Sequence, residues 1–145
     1  MFKHLLIATD GSERSEHAGR SAIALAKSLG ARVTGLSVSL PYRVFTTEYV
    51  MISDTEDTYN RECGNRAERH LGVIRKAADA AGVACEQVHA FNEQAHAAII
   101  ETAEQRGCDL ICMASHGRKG LAALVLGSVT TKVLTHSRVP VLVWR

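Results

Sequence analysis

The chain has 145 residues, 46% of them hydrophobic and 22% charged, which is typical of a globular protein and fits one domain spanning residues 1–145. The net charge of +2, without a dense stripe of Lys and Arg, argues against nucleic-acid binding. The apolar run before Asp10 is too short for a good signal peptide, and no stretch approaches a membrane span, so we expect a cytoplasmic protein without membrane contact.

The first residues predict a strand, a helix and a second strand. Lys3–Thr9 is continuously apolar at its centre, as parallel strands covered on both faces are. The turn Asp10-Gly11-Ser12 follows and supplies a helix N-cap. From Glu13, apolar residues recur at helical spacing until Gly30, which predicts a helix that ends there. Arg32–Ser39 is the second predicted strand.

The middle of the chain predicts a long loop and two more helices. The segment from Pro41 to about Asp57 has little periodicity, and it is either a functional loop or a plain insertion. Apolar residues at helical spacing predict helices over Arg61–Ala81 and Gln94–Arg106. Between them, Val83–Phe91 reads as the third strand.

The last residues predict a strand, a glycine-bearing basic loop, a helix and a final strand. Leu110–Ala114 is an apolar run of strand length. The loop that follows carries Gly117, Arg118 and further basic and glycine residues, and Gly127-Ser128 opens the last helix. Val139–Trp144 closes the chain as the fifth strand, with its proline near the start, where a missing N–H does least harm.

Alternation of strands and helices predicts a parallel α/β sheet with right-handed crossovers. Ligands of such sheets lie beyond the carboxyl ends of the strands, where the winding reverses. We therefore expect Thr9 to Gly11, after strand one, to lie beside Ala114 to Gly117, after strand four.

After Asp109 the sequence has a strand, a glycine-bearing loop and a helix that begins at a glycine, which is a layout that binds phosphate. Glycine lets an anion approach the backbone N–H groups, and the first N–H groups of a helix have no acceptor within the helix. One helix terminus contributes only about 0.3–1 kcal/mol to anion binding, whereas micromolar affinity needs about 8 kcal/mol. A base or another apolar group must therefore bind nearby. An ordinary connection, whose glycines only cap and turn, fits the spacing equally well.

Taken together, these segments resemble the universal stress protein family over the whole chain. The resemblance lies in the strand ending Ala8-Thr9-Asp10-Gly11-Ser12, the long second helix, the closing Gly-Ser helix and the final Pro-Val-Leu-Val strand. Nucleotide-binding members carry glycine, two residues, glycine, nine residues, then glycine with serine or threonine. Gly117 and Gly127-Ser128 fit this pattern, whereas Ala114 replaces the first glycine. The resemblance implies a five-stranded parallel sheet flanked by helices on both faces, in the order 3-2-1-4-5.

The resemblance also implies an ATP site across the ends of strands one and four, with AMP or ADP as alternatives. Adenine and ribose would contact Ala8, Thr9, Asp10, Val38, Met113 and Ala114, and phosphates would be held by Gly117, Arg118, Gly127, Ser128, Val129 and Thr130. Mg²⁺ or Mn²⁺ would be bound through the phosphates, since the sequence offers no cluster of protein ligands. The alternative is that Asp10 and Ser128 only cap helices and that Val38 and Met113 are only core.

Two functions follow. The first is an ATP-binding regulatory protein of the stress response, and the alternative, motivated by Ala114, is an interaction module of the same family that binds no nucleotide. Either would form a homodimer through Val139–Trp144, because an apolar sheet edge invites pairing with a second copy. An enzyme is not expected, because the sequence carries no P-loop Lys-Ser/Thr and no evident catalytic base.

Cysteines and histidines are not expected to form a reactive site. The four cysteines, Cys63, Cys85, Cys108 and Cys112, lack a C-x-x-C spacing and read as buried, inert thiols. His116 has no partner carboxylate in sequence and reads as a solvated or capping loop residue.

Overall fold

A computed structural model describes residues 1–43, 55–117 and 125–145, so most of the predicted 41–57 loop and Arg118 lie outside the described residues. Within these ranges strands and helices alternate in the order β1 (His4–Ala8), α1 (Glu13–Leu29), β2 (Arg32–Ser39), α2 (Glu56–Ala81), β3 (Cys85–Phe91), α3 (Ala95–Arg106), β4 (Leu110–Ala114), α4 (Ser128–His136) and β5 (Val141–Trp144). The strands form one parallel sheet in the order β3-β2-β1-β4-β5. The predicted fold class and strand order are confirmed.

Each face of the sheet carries its own apolar cluster. On one face, Leu5 and Ile7 of β1 join Ile74 of α2. On the other face, Leu6 joins a cluster that includes Val133 of α4. Successive strand residues point to opposite faces, so a strand covered on both sides must be apolar throughout. This explains why β1 and β4, which pair with each other inside the sheet, read as nearly continuous apolar runs.

Helix α2 begins at Glu56 rather than at Arg61, so the loop predicted to reach Asp57 ends earlier. Thr55 is its N-cap and accepts a hydrogen bond from the Thr58 N–H at 3.2 Å. The two acidic residues after it favour the positive N-terminal end of the helix. Apolar periodicity gave no signal here because these first turns are largely polar.

Strands β3 and β5 each begin two residues later than predicted, because local turns use the preceding residues. The Val83 N–H donates to the Ala78 carbonyl at 2.9 Å and so belongs to the exit from α2. Before β5, the Ser137 hydroxyl accepts from the Val139 N–H at 3.0 Å and donates to the Val139 carbonyl at 2.8 Å. Both contacts hold these residues in turns.

The winding of the sheet reverses between β1 and β4. From β1 the chain adds β2 and β3 on one side, and then crosses to add β4 and β5 on the other. This arrangement opens a crevice at the carboxyl ends of β1 and β4, which is where ligands of open α/β sheets bind. No helix in the described ranges is both long and apolar enough to cross a bilayer.

Candidate functional site

A cavity of about 340 Å³ lies at the carboxyl ends of β1 and β4. Its volume falls within the range of about 300–1,000 Å³ that is usual for small-molecule pockets. Its wall comprises Ala8, Thr9, Asp10, Ser15, Val38, Ala95, Ile99, Met113, Ala114, His116, Gly117, Gly127, Ser128, Val129 and Thr130. The structure thus brings together eleven of the twelve sequence-predicted site residues, and Arg118 is outside the described residues.

The turn after β1 is held by its own side chains. The Thr9 hydroxyl accepts a hydrogen bond from the Gly11 N–H at 3.2 Å and lies 3.1 Å from the Ser15 hydroxyl. The Asp10 carboxylate accepts from the Ser12 N–H at 3.0 Å. Ser12, rather than Asp10, is the N-cap of α1, since its hydroxyl accepts from the Ser15 N–H. Asp10 therefore both holds the turn after β1 and lines the cavity.

The ends of β1 and β4 meet at Gly117. A β-carbon added to this glycine would overlap the Asp10 carboxylate, so the backbone of one turn touches the side chain of the other. The predicted juxtaposition of these two turns is confirmed. It also gives a physical reason for glycine at this position, because a larger residue would displace Asp10.

Three hydrogen bonds join the end of β4 to its neighbours. The Ser115 N–H donates to the Trp144 carbonyl at 2.7 Å, which extends the pairing with β5. The Gly127 N–H donates to the Ser115 carbonyl at 2.8 Å, and the Thr130 hydroxyl donates to the Ala114 carbonyl at 3.0 Å. These contacts correct two predicted roles in phosphate binding. The Gly127 amide and the Thr130 hydroxyl each donate to a backbone carbonyl of the protein, so neither is free to donate to a phosphate.

The first turn of α4 keeps other donors. Gly127 is the N-cap and has no side chain to accept from the amides that follow it. The N–H groups of Ser128, Val129 and Thr130 occupy the first helical positions, which have no acceptor within the helix. They add to the positive end of the helix dipole on the cavity wall. Ser128 follows the N-cap, so its predicted alternative role as the cap is wrong.

Ala114 occupies the position of the first motif glycine without backbone strain. In the described ranges, positive φ angles occur at glycines alone, so Ala114 has an ordinary strand conformation. It is buried and forms the end of β4. The backbone here does not need the positive φ that favours glycine, and alanine places a small side chain on the cavity wall.

His116 is buried, which corrects its prediction as a solvated or capping loop residue. It follows Ser115 directly after β4, and its Nδ1 lies 3.1 Å from the Ser115 hydroxyl. Its Nε2 is buried and has no hydrogen-bond partner among the described residues. The only sequence signal for this position was a polar residue two positions after the end of a fully buried strand.

Further cavity residues were missed because they lie on helices that read as ordinary amphipathic segments. Ser15 comes from the first turn of α1, and Ala95 and Ile99 come from the N-terminal half of α3. Ile99 also belongs to the apolar cluster under α3 and α4. Periodicity assigned it to the core, but it contributes to both core and cavity.

The prediction of buried cysteines is confirmed for Cys63, Cys108 and Cys112, whereas Cys85 is only half-buried. All four are free thiols, and three of them are buried. Burial raises the pKa of Cys108 to about 11 and that of Cys112 to about 12, so both stay protonated at neutral pH. Across the described ranges, His, Cys, Asp and Glu side chains nowhere gather in a group of three or more that could hold a metal ion.

Comparison with known proteins identifies relatives over the full length. The model of the universal stress protein family matches residues 1–145. Universal stress protein YxiE of Bacillus subtilis is 34% identical over 149 residues, and the match covers 100% of both chains. The solved structure of MJ0577 of Methanocaldococcus jannaschii has a TM-score of 0.80 at 29% identity and covers 99% of this chain and 95% of its own.

Two more distant structures share the fold and were solved with nucleotides. A universal stress protein in complex with cAMP has a TM-score of 0.70 at 21% identity and covers 99% of this chain and 97% of its own. An Archaeoglobus fulgidus universal stress protein in complex with dAMP has a TM-score of 0.66 at 20% identity and covers 100% and 98%. The family model and the full-length relatives show that the chain belongs to the universal stress protein family.

Proposed function

We propose that this protein binds an adenine nucleotide in the cavity at the ends of β1 and β4 and acts as a regulatory protein of the stress response. The observation that carries the proposal is the cavity itself, whose wall combines apolar residues with the first turn of α4. Two proteins of the same fold bind cAMP and dAMP, which supports the choice of an adenine nucleotide. We keep ATP as the leading ligand and AMP and ADP as alternatives.

In this proposal the two ends of the cavity have different tasks. Val38 and Met113 provide apolar surface for the adenine, and the Asp10 carboxylate accepts from a ribose hydroxyl. The amides of Ser128 and Val129 hold a phosphate at the positive end of α4. Among the described residues, His, Cys, Asp and Glu side chains form no group of three or more that could hold a metal ion. Mg²⁺ or Mn²⁺ would therefore be held through the phosphates of ATP.

A direct binding measurement tests this function. Small molecules released from freshly purified protein are identified by mass spectrometry, and ATP, ADP, AMP and cAMP are titrated into nucleotide-free protein by calorimetry. The expected result is saturable binding of at least one adenine nucleotide. Undetectable binding of all four at millimolar concentration would contradict the proposal.

Gly127→Val is the site variant for this experiment. A β-carbon at Gly127 would lie 3.2 Å from the Ser115 carbonyl and 3.4 Å from the His116 Cα, so valine would push the start of α4 away from β4. Gly72→Val is the matched control, because Gly72 lies in α2 with nothing within 4 Å of an added β-carbon. We expect Gly127→Val alone to abolish binding while both variants remain folded.

A second candidate function is that of an interaction module of the same family that binds no nucleotide, and one observation favours it. The Gly127 amide, which the motif would offer to a phosphate, donates instead to Ser115. Under this reading the protein works as a dimeric interaction module. Nucleotide that co-purifies with the wild-type protein would count directly against it.

Homodimerisation through β5 is part of both candidates. β5 is an edge strand with backbone groups open on one side, and Leu142 is 36% exposed there. Leu142→Glu should convert a dimeric mass in light scattering to a monomeric one. Leu29→Glu is the matched control, since Leu29 is 38% exposed at the end of α1. A monomeric wild-type protein would contradict this assembly.

We further propose a binding role in the cytoplasm rather than catalysis. The proposal rests on the sequence, which offers no P-loop Lys-Ser/Thr and no evident catalytic base. Slow hydrolysis of bound ATP would be compatible with it. Turnover of about 1 per second or faster, as in dedicated enzymes, would contradict it.

A further inference from the structure

We propose that His116 contacts the phosphoryl group of the bound nucleotide through Nε2 and so makes the cavity selective for phosphorylated ligands over the free nucleoside. This inference rests on the proposed function, because it assigns one residue of the same cavity. It differs from the predicted site, in which no histidine contacts the phosphates.

The first observation is the state of the His116 ring. The residue is 7% exposed, and its Nδ1 is paired with the hydroxyl of the neighbouring Ser115 at 3.1 Å. Nε2, on the opposite side of the ring, has no partner among the described residues. A buried polar atom without a partner is unfavourable, so a ligand atom that completes the hydrogen bond is stabilised.

The second observation is the position of this residue at the start of α4. A β-carbon on Gly127 would lie 3.4 Å from the His116 Cα, so the His116 backbone packs directly against the N-cap of α4. His116 also belongs to the cavity wall, with Ser128 and Val129 of the first helical turn. His116, whose Nε2 has no partner among the described residues, and the first turn of α4, whose amides have no acceptor within the helix, therefore belong to the same part of the cavity wall.

These donors have a common ligand in a phosphate oxygen. The helix amides can only donate, and they favour an anion. When the Ser115 hydroxyl donates to Nδ1, the ring carries its proton on Nε2 and becomes a donor as well. A phosphoryl oxygen accepts from both sets of donors. Adenosine lacks that oxygen and leaves Nε2 without a partner.

The test compares AMP and adenosine on the full chain. His116→Phe keeps a planar ring of similar size and removes Nε2, whereas His116→Gln retains a donor on a side chain of similar length. His17→Phe is the control, because His17 is exposed on α1, away from the cavity wall. Affinities are measured by calorimetry, and the free energy of unfolding is measured for each variant.

We expect His116→Phe to weaken AMP binding by roughly ten-fold or more, the effect of losing one hydrogen bond to a charged group, with adenosine binding unchanged. His116→Gln should restore part of the AMP affinity, and His17→Phe should change neither ligand. An unchanged AMP affinity in His116→Phe, or an equal loss for AMP and adenosine, would overturn the inference and leave the proposed function standing. A wild-type protein that binds no nucleotide would overturn the proposed function first.

A second measurement uses the unmutated protein and so does not depend on how the variants fold. In ¹⁵N spectra of the imidazole side chains, the Nε2 signal of His116 should shift on addition of AMP and stay in place on addition of adenosine. The signal is assigned from its absence in His116→Gln. A shift with both ligands, or with neither, would overturn the role of Nε2.

Discussion

Ala114→Gly restores the first glycine of the nucleotide-binding motif, and the structure predicts that this change gives no gain in affinity. Ala114 already has an ordinary strand conformation, so glycine relieves no strain. Glycine removes one buried methyl group, which contributes about 0.8 kcal/mol. It also loses about 0.5–1 kcal/mol relative to alanine through backbone entropy in a strand. The free energy of unfolding should therefore fall by about 1.5 kcal/mol.

Urea unfolding and nucleotide calorimetry on the same preparations measure the two effects. Ala90→Gly is the control, because Ala90 is a partly buried alanine of β3 that packs on the same cluster away from the cavity. We expect a comparable loss of stability for both variants and nucleotide affinity within about two-fold of wild type. A ten-fold gain in affinity for Ala114→Gly without a loss of stability would refute the reasoning, since it would mean that alanine obstructs the ligand or strains the strand.

Three further predictions concern stability. Thr130→Val removes the hydroxyl that donates to the buried Ala114 carbonyl, and it should lower the free energy of unfolding by about 1–3 kcal/mol in urea. Gly30→Ala should lower the free energy of unfolding by about 1–2 kcal/mol, because Gly30 has a φ of +64°, which alanine adopts only with strain. The loss would come from the backbone alone, since an added β-carbon would meet nothing within 4 Å. Burial, followed by the Arg32 charge, lowers the pKa of His4 below 6.5, so the native state resists a proton that the unfolded state accepts. The contribution of His4 to the free energy of unfolding should therefore be fully present above pH 6.5. It should be lost as the pH falls below 6.5, with a slope of up to about 1.4 kcal/mol per pH unit.

Each of these predictions has a result that contradicts it. Thr130→Val keeps the branched shape of threonine, so an unchanged free energy of unfolding in this variant would mean that the hydrogen bond to Ala114 does not stabilise the fold. An unchanged stability in Gly30→Ala would show that the end of α1 adapts to the new residue. For His4, a His4→Gln variant with the same dependence on pH between 4 and 7 as the wild type would assign that slope to other groups.

The sequence by itself determined the sheet and most element boundaries. The predicted bounds of β4 match the structure, because this strand is buried along its whole length and is apolar throughout. The predicted bounds of β2 match as well, although this strand includes polar residues. The end of α1 at Gly30 was equally clear, because a left-handed residue after a helix favours glycine. The start of α2 at Glu56 was missed, since a helix end stabilised by a cap and acidic residues leaves no apolar pattern.

Only the tertiary structure decided which polar groups of the cavity are free. The Gly127 amide is used by Ser115, the Thr130 hydroxyl is used by Ala114, and the His116 Nε2 is left buried without a partner in the described ranges. Residue type and spacing showed that these donors were near a glycine loop, but a hydrogen bond forms only where a particular acceptor comes within about 3 Å. The approach of α4 to the end of β4 sets those distances, and it depends on packing between segments that are far apart in the chain.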